Sequence, residues 1–478
     1  MSRFFVNALG TVLAVVLELS SVRAQTPADA ARFQELQSQE SKIREGYKVT
    51  AQQSAPLEEA LARAPGDANA RAKLLGFYFA PASQALGAPA RIQARRNHIL
   101  WLIRNRPESG LLMTSEASLD PAGHALADPQ GYEQASKAWL EQTAKKDASA
   151  LTLGNAGRFF YLHDKALATQ FYARARKLEP ANGMWPMMQG SVMASAVAGV
   201  TAMNQNGFPG PADAREAESD FAKSARRELQ TTKDTVLMRA AADELLASGF
   251  MAQAMARQQT GKAPAVDALD LAEALLKRAQ ALDPVPETSA SLARIYELRG
   301  MTATSDSQKK TQARARYEQM LKSTAALPAN DPAHASEVLD LARAGVDAGD
   351  LDRAQSLAKS LLALVPRLKA DPRFSSSVDE VVHHSHLILG RVALRKGDTK
   401  TAEANLLEAG RVGGGGTLSS FGPNMTLAKE LLEKGNKEPV LQYLELCRKF
   451  WAFSKRMDPW IVEIRRGQVP NFGANLTY

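Results

Sequence analysis

The segment GDLDRAQSLAKSLLALVP, from Gly349 to Pro366, sets the strongest limit on what this chain can fold into. Counting back from its proline, Ala354 stands 12 residues earlier, Ala358 8 earlier and Leu361 5 earlier. The same spacing back from Pro180 meets Ala168, Tyr172 and Ala175, and back from Pro284 it meets Ala272, Leu276 and Ala279. Residues at these intervals share one face of an α-helix. Upstream, each of two copies carries a second run at helical spacing, Leu341 and Ala342 in one, Ala156 and Phe159 in the other. A further unit lacks the closing proline but keeps both runs, Leu389, Gly390 and Ala393, then Ala402, Leu406 and Ala409, with Gly397 and Asp398 between them. The repeating unit is a helix hairpin: small residues let the backbones approach, and larger ones fill the space beside them. No alternating β-branched runs of strand length stand between turn signals, so the chain is predicted to be all α.

This pattern resembles the tetratricopeptide repeat, whose 34-residue signature ends in Ala, an aromatic residue and Pro. The match is good over 149–180, 335–366 and 383–410; weaker copies lie at 67–107, 253–284, 287–323 and 424–451. The signature Trp is missing from the good copies, and Arg95 stands where a small residue is expected. The resemblance implies a right-handed α-solenoid of helix hairpins with inserted loops, in which each repeat contacts its neighbours and the core extends along the chain. Pro284 and Pro366 are 82 residues apart where two ideal units need 68, so loops are predicted at 108–130, 204–214, 301–310 and 411–424, all rich in Gly, Pro, Ser or Asp. The predicted organisation is a leader over 1–24, a helical segment over 25–65, the solenoid over 66–410, a Gly-rich loop over 411–424, and a last repeat and tail over 425–478.

The leader has Arg3, an apolar stretch from Ala8 to Leu17, and small residues at Val22 and Ala24, the pattern of a secretory signal cleaved after Ala24. A periplasmic or secreted protein of bacterial exported type is expected, with no membrane span left after cleavage; the apolar run 191–203 is too short for one and reads as a tight helix crossing. Cleavage removes Arg3, Arg23 and Glu18, taking the formal charge from +8 to +7, a modest balance compatible with anionic partners. Cys447 is the lone cysteine, so no internal disulfide can form.

Motifs for catalysis are absent: there is no HExxH, GxSxG or GxxxxGK[ST]. Ser356 and Lys359 spell SxxK without its companion elements and sit mid-helix. His383, His384 and His386 form the densest imidazole group but have no acidic or cysteine partner at a metal-binding spacing. Gly413–Gly416 has neither a preceding strand nor a following lysine, and reads as a flexible linker rather than a phosphate cradle. Trp101, Trp139, Trp185, Trp451 and Trp460 read as core anchors. Asn424 and Asn475 open glycosylation sequons that matter only in a eukaryotic host. No catalytic residue, metal or cofactor is therefore predicted.

One pattern does point to a surface. The residue following the small crossing residue of the first helix is Arg294, Arg343, Arg391 and Lys429 in four successive copies, against Phe77 and Gly157 earlier. In the resembled family this position lies on the concave face, where partner peptides bind. Arg395 follows Arg391 by one turn and enlarges the same face. The predicted function is a non-enzymatic scaffold that binds a protein or peptide, possibly anionic, and no nucleic acid, through Arg294, Arg343, Arg391, Arg395 and Lys429, with Phe160 and Tyr161 as aromatic groove residues. The alternatives are an envelope enzyme or enzyme subunit without a linear motif, or a binder of anionic envelope polymer.

Overall fold

The computed structural model describes residues 27–122, 126–202, 209–328 and 330–476, so the predicted leader lies outside the described residues. Among them every regular element is helical. The chain divides after Asp283 into two units.

Unit 1 runs through α1 (Pro27–Gly46), α2 (Ala51–Arg63), α3 (Ala68–Phe79), α4 (Ala88–Asn105), α5 (Pro129–Ala144), α6 (Ala150–Phe160), α7 (Lys165–Leu178) and α8 (Met184–Val197). After α9 (Ala214–Ala217) come α10 (Asp220–Thr231), α11 (Thr235–Glu244), a π-helical turn at Leu245–Gly249, α12 (Phe250–Thr260) and α13 (Ala268–Leu282). Unit 2 holds α14 (Pro286–Thr302), α15 (Asp306–Ser323), α16 (Ala335–Ala348), α17 (Leu351–Ala370), α18 (Val378–Arg395) and α19 (Thr399–Gly410). It ends with α20 (Gly416–Phe421), α21 (Thr426–Leu432), α22 (Lys437–Cys447) and α23 (Met457–Arg465).

Six of the predicted copies are hairpins of consecutive helices: α3–α4, α6–α7, α14–α15, α16–α17, α18–α19 and α21–α22; in the copy at 253–284, α13 packs chiefly on α11 rather than on α12. The spaced residues are the buried seam. Ala168, Tyr172 and Ala175, Ala272, Leu276 and Ala279, Ala354, Ala358 and Leu361, and Ala402, Leu406 and Ala409 are all at most 1% exposed. Aspartates and serines start the helices by accepting from backbone N–H groups of the first turn, as Ser149, Asp164, Asp350 and Asp398 do. One residue before the apolar run at 191–203, α8 lies so close to α11 that a Cβ on Gly190 would stand 2.4 Å from the Leu237 carbonyl oxygen. Trp139, Trp185 and Trp451 are core residues, and Trp460 stacks on Trp451 with ring centres 5.9 Å apart. Trp101 is only half-buried, and the Arg71 guanidinium lies 3.7 Å over its ring.

The predicted loops differ from what is found. Residues 301–310 are not an insertion, because α14 ends at Thr302 and α15 begins at Asp306, where Ser305 and Gln308 form a capping box. The extra spacing lies partly in 324–334, between α15 and α16. Pro366 does not close its helix: α17 continues to Ala370, since Leu364 and Leu368 extend the buried stripe and outweigh the lost backbone hydrogen bond. Residues 108–130 carry two short 3₁₀ turns and bury Leu111, Leu112 and Leu119. Arg95, the misfit of the repeat pattern, holds this segment: its buried guanidinium donates to the carbonyls of Ser115, Glu116 and Ser118. Nor is 411–424 a free linker, because it contains α20, Gly415 N–H donates to Ser419 Oγ at 2.7 Å, and Gly414 lies against Phe450.

Candidate functional site

The first helices of unit 2 carry the predicted cations, and each cation has an acid beside it. On α14, Arg294 is exposed and pairs with Glu297, which Arg316 of α15 also reaches at 3.3 Å. On α16, Arg343 is half-buried 3.5 Å from Asp340, and Asp347 lies one turn further along. Arg391 of α18 is only 8% exposed, which corrects the expectation that it faces solvent. Its guanidinium bonds Asp347 of α16 at 2.9 Å and Glu430 of α21 at 2.8 and 3.1 Å. The position is buried because α18 lies between α16 and α21, so the head group has only their carboxylates to reach. Arg395 bonds the same Glu430 oxygen at 2.9 Å from an exposed position, and Lys429 pairs with Glu433.

Electrostatics link these groups across the helices. Burial pushes the Asp340 carboxyl up, and Arg343 and Arg316 pull it back only in part. Burial acts to raise Glu430 as well, but Arg391 and Arg395 together hold it below the usual carboxylate value. Burial acts to lower Arg343, Asp340 and Asp347 oppose it, and Arg316 and Arg391 add to it, so Arg343 and Arg391 lie within electrostatic reach of each other. Together these groups form a row of alternating sign rather than a basic ladder. The acids were legible: Glu297, Asp340, Asp347 and Glu433 each stand three or four positions from a cation on the same helix.

The remaining candidates have structural employment. Phe160 is 5% exposed in the core of unit 1, edge-on to Phe159, which corrects its assignment to a groove. Tyr161 is half-buried, and its hydroxyl bonds the Glu244 carboxyl. His383 is fully buried, its Nδ1 donating to the Ala409 carbonyl at 2.8 Å and its Nε2 accepting from Asn424 N–H at 3.2 Å, so neither nitrogen is open to a metal. His386 Nδ1 sits 2.9 Å from Asn405 Oδ1. Ser356 and Lys359 lie exposed on α17. Cys447 is buried, and burial pushes its thiol up. Asn424 and Asn475, the sequon residues, are 2% and 8% exposed, and Asn475 Nδ2 donates to the Phe421 and Pro423 carbonyls. No helix of the described residues is long and apolar enough to cross a membrane.

No family model matches the chain, and no curated protein does. Among solved structures it is similar to the human IFIT1 dimer with PPP-AAAA, at 17% identity over 86% of this chain and 84% of that one, with a TM-score of 0.30. It is similar also to the human IFIT1 dimer with m7Gppp-AAAA, at 13% identity over 90% and 95%, with a TM-score of 0.28.

Proposed function

We propose that the chain is an exported, non-enzymatic scaffold of helix hairpins that holds a protein or peptide partner on the charged face of unit 2. The observation that carries this reading is Arg391. Held by Asp347 and Glu430, it ties α16, α18 and α21 together and leaves Arg395 exposed beside it. A buried pair of this kind contributes little net stability, but it fixes register. The partner this row suits is a segment with charges of both signs rather than a purely anionic one. Each exposed pair is worth about 0–1 kcal/mol, so binding is collective and weakens as salt rises.

The test is affinity capture from envelope extract with the wild-type chain and with an Arg294→Glu, Arg343→Glu, Arg395→Glu variant, which spares the buried Arg391. The variant should lose the partner while its helical signal stays unchanged; undiminished capture would remove this face from consideration. Export is tested by amino-terminal sequencing of protein from its native host. A chain beginning at Gln25 supports cleavage after Ala24, and an intact Met1 on a cytosolic protein contradicts it.

A further inference from the structure

The last helix of unit 2, α23, presents an outer face that the charged row does not include. Met457, Ile461 and Ile464 form its buried side. Helical spacing puts Pro459, Val462 and Arg466 opposite them, and all three are exposed, Val462 by 46%. Just before the helix, Phe453 is 51% exposed, with the Arg456 guanidinium 5.4 Å from its ring centre. Phe421, 53% exposed, belongs to a segment bonded to the same turn: the Ala452 N–H donates to the Ser419 carbonyl at 3.0 Å, and Trp451 Nε1 donates to the Ser420 carbonyl at 3.4 Å. Single exposed apolar residues are ordinary, but a group of them among cations marks an interaction surface.

The charges here differ from those of the row, where each cation has an acid beside it. Asp458 is held by Arg448, which Glu445 also reaches at 3.2 Å. Lys449, Lys455, Arg456, Arg465 and Arg466 are exposed, and their side chains make no ion pair or hydrogen bond among the described residues. Against them stands one carboxylate without an ion pair, that of the half-buried Glu463. The surface is therefore positive and apolar at once. That combination matches the boundary of an anionic bilayer, where rings and methyl groups reach the acyl region while cations on long aliphatic stems stay with the phosphates. A polyanion in water would satisfy the cations and leave Val462 and the phenylalanines against solvent.

We propose that α23 and the turn before it dock on an anionic bilayer surface, with Phe453 and Val462 at the acyl boundary and Lys455, Arg465 and Arg466 on the lipid phosphates. The contact is peripheral, and it is collective, because each cation adds a screened attraction to the surface. Its residues are not those of the charged row, so docking and partner binding fail or survive separately.

The probe is a vesicle of mixed phosphatidylglycerol and phosphatidylcholine, sedimented with the full chain, with phosphatidylcholine alone as the control. Binding should be at least about tenfold tighter on the anionic vesicle and weaken as salt rises. Lys455→Glu, Arg465→Glu and Arg466→Glu together should weaken it by at least about 100-fold. Phe453→Ser with Val462→Ser should weaken it roughly 5- to 20-fold through lost apolar burial. The apolar amino-terminal stretch is common to every variant and cannot produce these differences. The melting temperature should hold in both variants, since the altered side chains are exposed. A milder substitution, Phe453→Trp, should gain emission that brominated acyl chains quench. Equal affinity for the two vesicles, full binding by the triple variant, or an introduced tryptophan that is not quenched would overturn the proposal. So would undiminished binding by the serine variant, which would make the cations a site for any polyanion.

Discussion

Arg391 and Arg294 occupy equivalent sequence positions and differ in what surrounds them. Removing Arg391 leaves Asp347 without its cation and Glu430 with Arg395 alone, so Arg391→Ala should cost about 2–3 kcal/mol by denaturant unfolding, the loss of buried charge-assisted hydrogen bonds. Arg294→Ala, at a 58% exposed side chain, should change stability by less than about 1 kcal/mol. Two buried titratable groups predict opposite responses to pH. His383 is lowered from 6.5 to about 4, burial being the main cause. Below pH 6.5 the unfolded chain therefore takes up a proton that the folded one refuses, and stability is lost as pH falls from 6.5 towards 4, by about 3 kcal/mol in all. Glu244 is raised from 4.5 to about 7, again by burial, against the opposing pull of Ser248, Tyr161 and Lys165. Here the folded state holds the extra proton, so stability falls as pH rises from 4.5 through 7, by a similar amount of about 3 kcal/mol. Burial pushes the neighbouring His384 down as well, so unfolding measured across this range should lose part of its acid-side slope in His383→Gln and its opposite slope in Glu244→Gln; a full wild-type slope kept in either variant would refute that assignment. Burial of this kind was not legible in the sequence. The cations were visible at equivalent positions, but that Arg391 is enclosed and Arg294 is not depends on which helices flank each one.

At the scale of elements the sequence was far more transparent. Small residues at fixed intervals can only be a close helix crossing, and all four spaced triads are buried where the spacing puts them. What failed was punctuation. Proline and glycine were read as breaks, yet Pro366 lies within α17 and the glycines of 413–416 lead into α20, because local propensity of a few kcal/mol yields to a continuing apolar stripe or a packed neighbour. The crossing of α8 on α11 offers a direct check. Gly190→Val would drive its Cβ into the Leu237 carbonyl and should cost about 3 kcal/mol, the upper end for an overpacked contact. Gly66→Ala, with open space around its Cβ, should change stability by about 1 kcal/mol at most. Equal effects of the two substitutions would mean that α8 and α11 are not in that contact.

For the whole molecule, helix hairpins recur across both units, and the function argued for it rests on the charged row of unit 2. Sequence spacing found the cations of that row. It did not weigh the acids beside them, because a ruler that counts one position per repeat says nothing of the residues three and four away. The partner itself is not encoded in any motif, since a binding face built from ion pairs has no required residue at a required spacing. Footprinting of the captured complex by carbene labelling tests the claim most directly. Protection on partner binding should concentrate in peptides containing 294–297, 340–347, 391–395 and 429–433 and be reversed by high salt. Protection confined to unit 1, or an unprotected row in a stoichiometric complex, would contradict the assignment of this face as the binding surface.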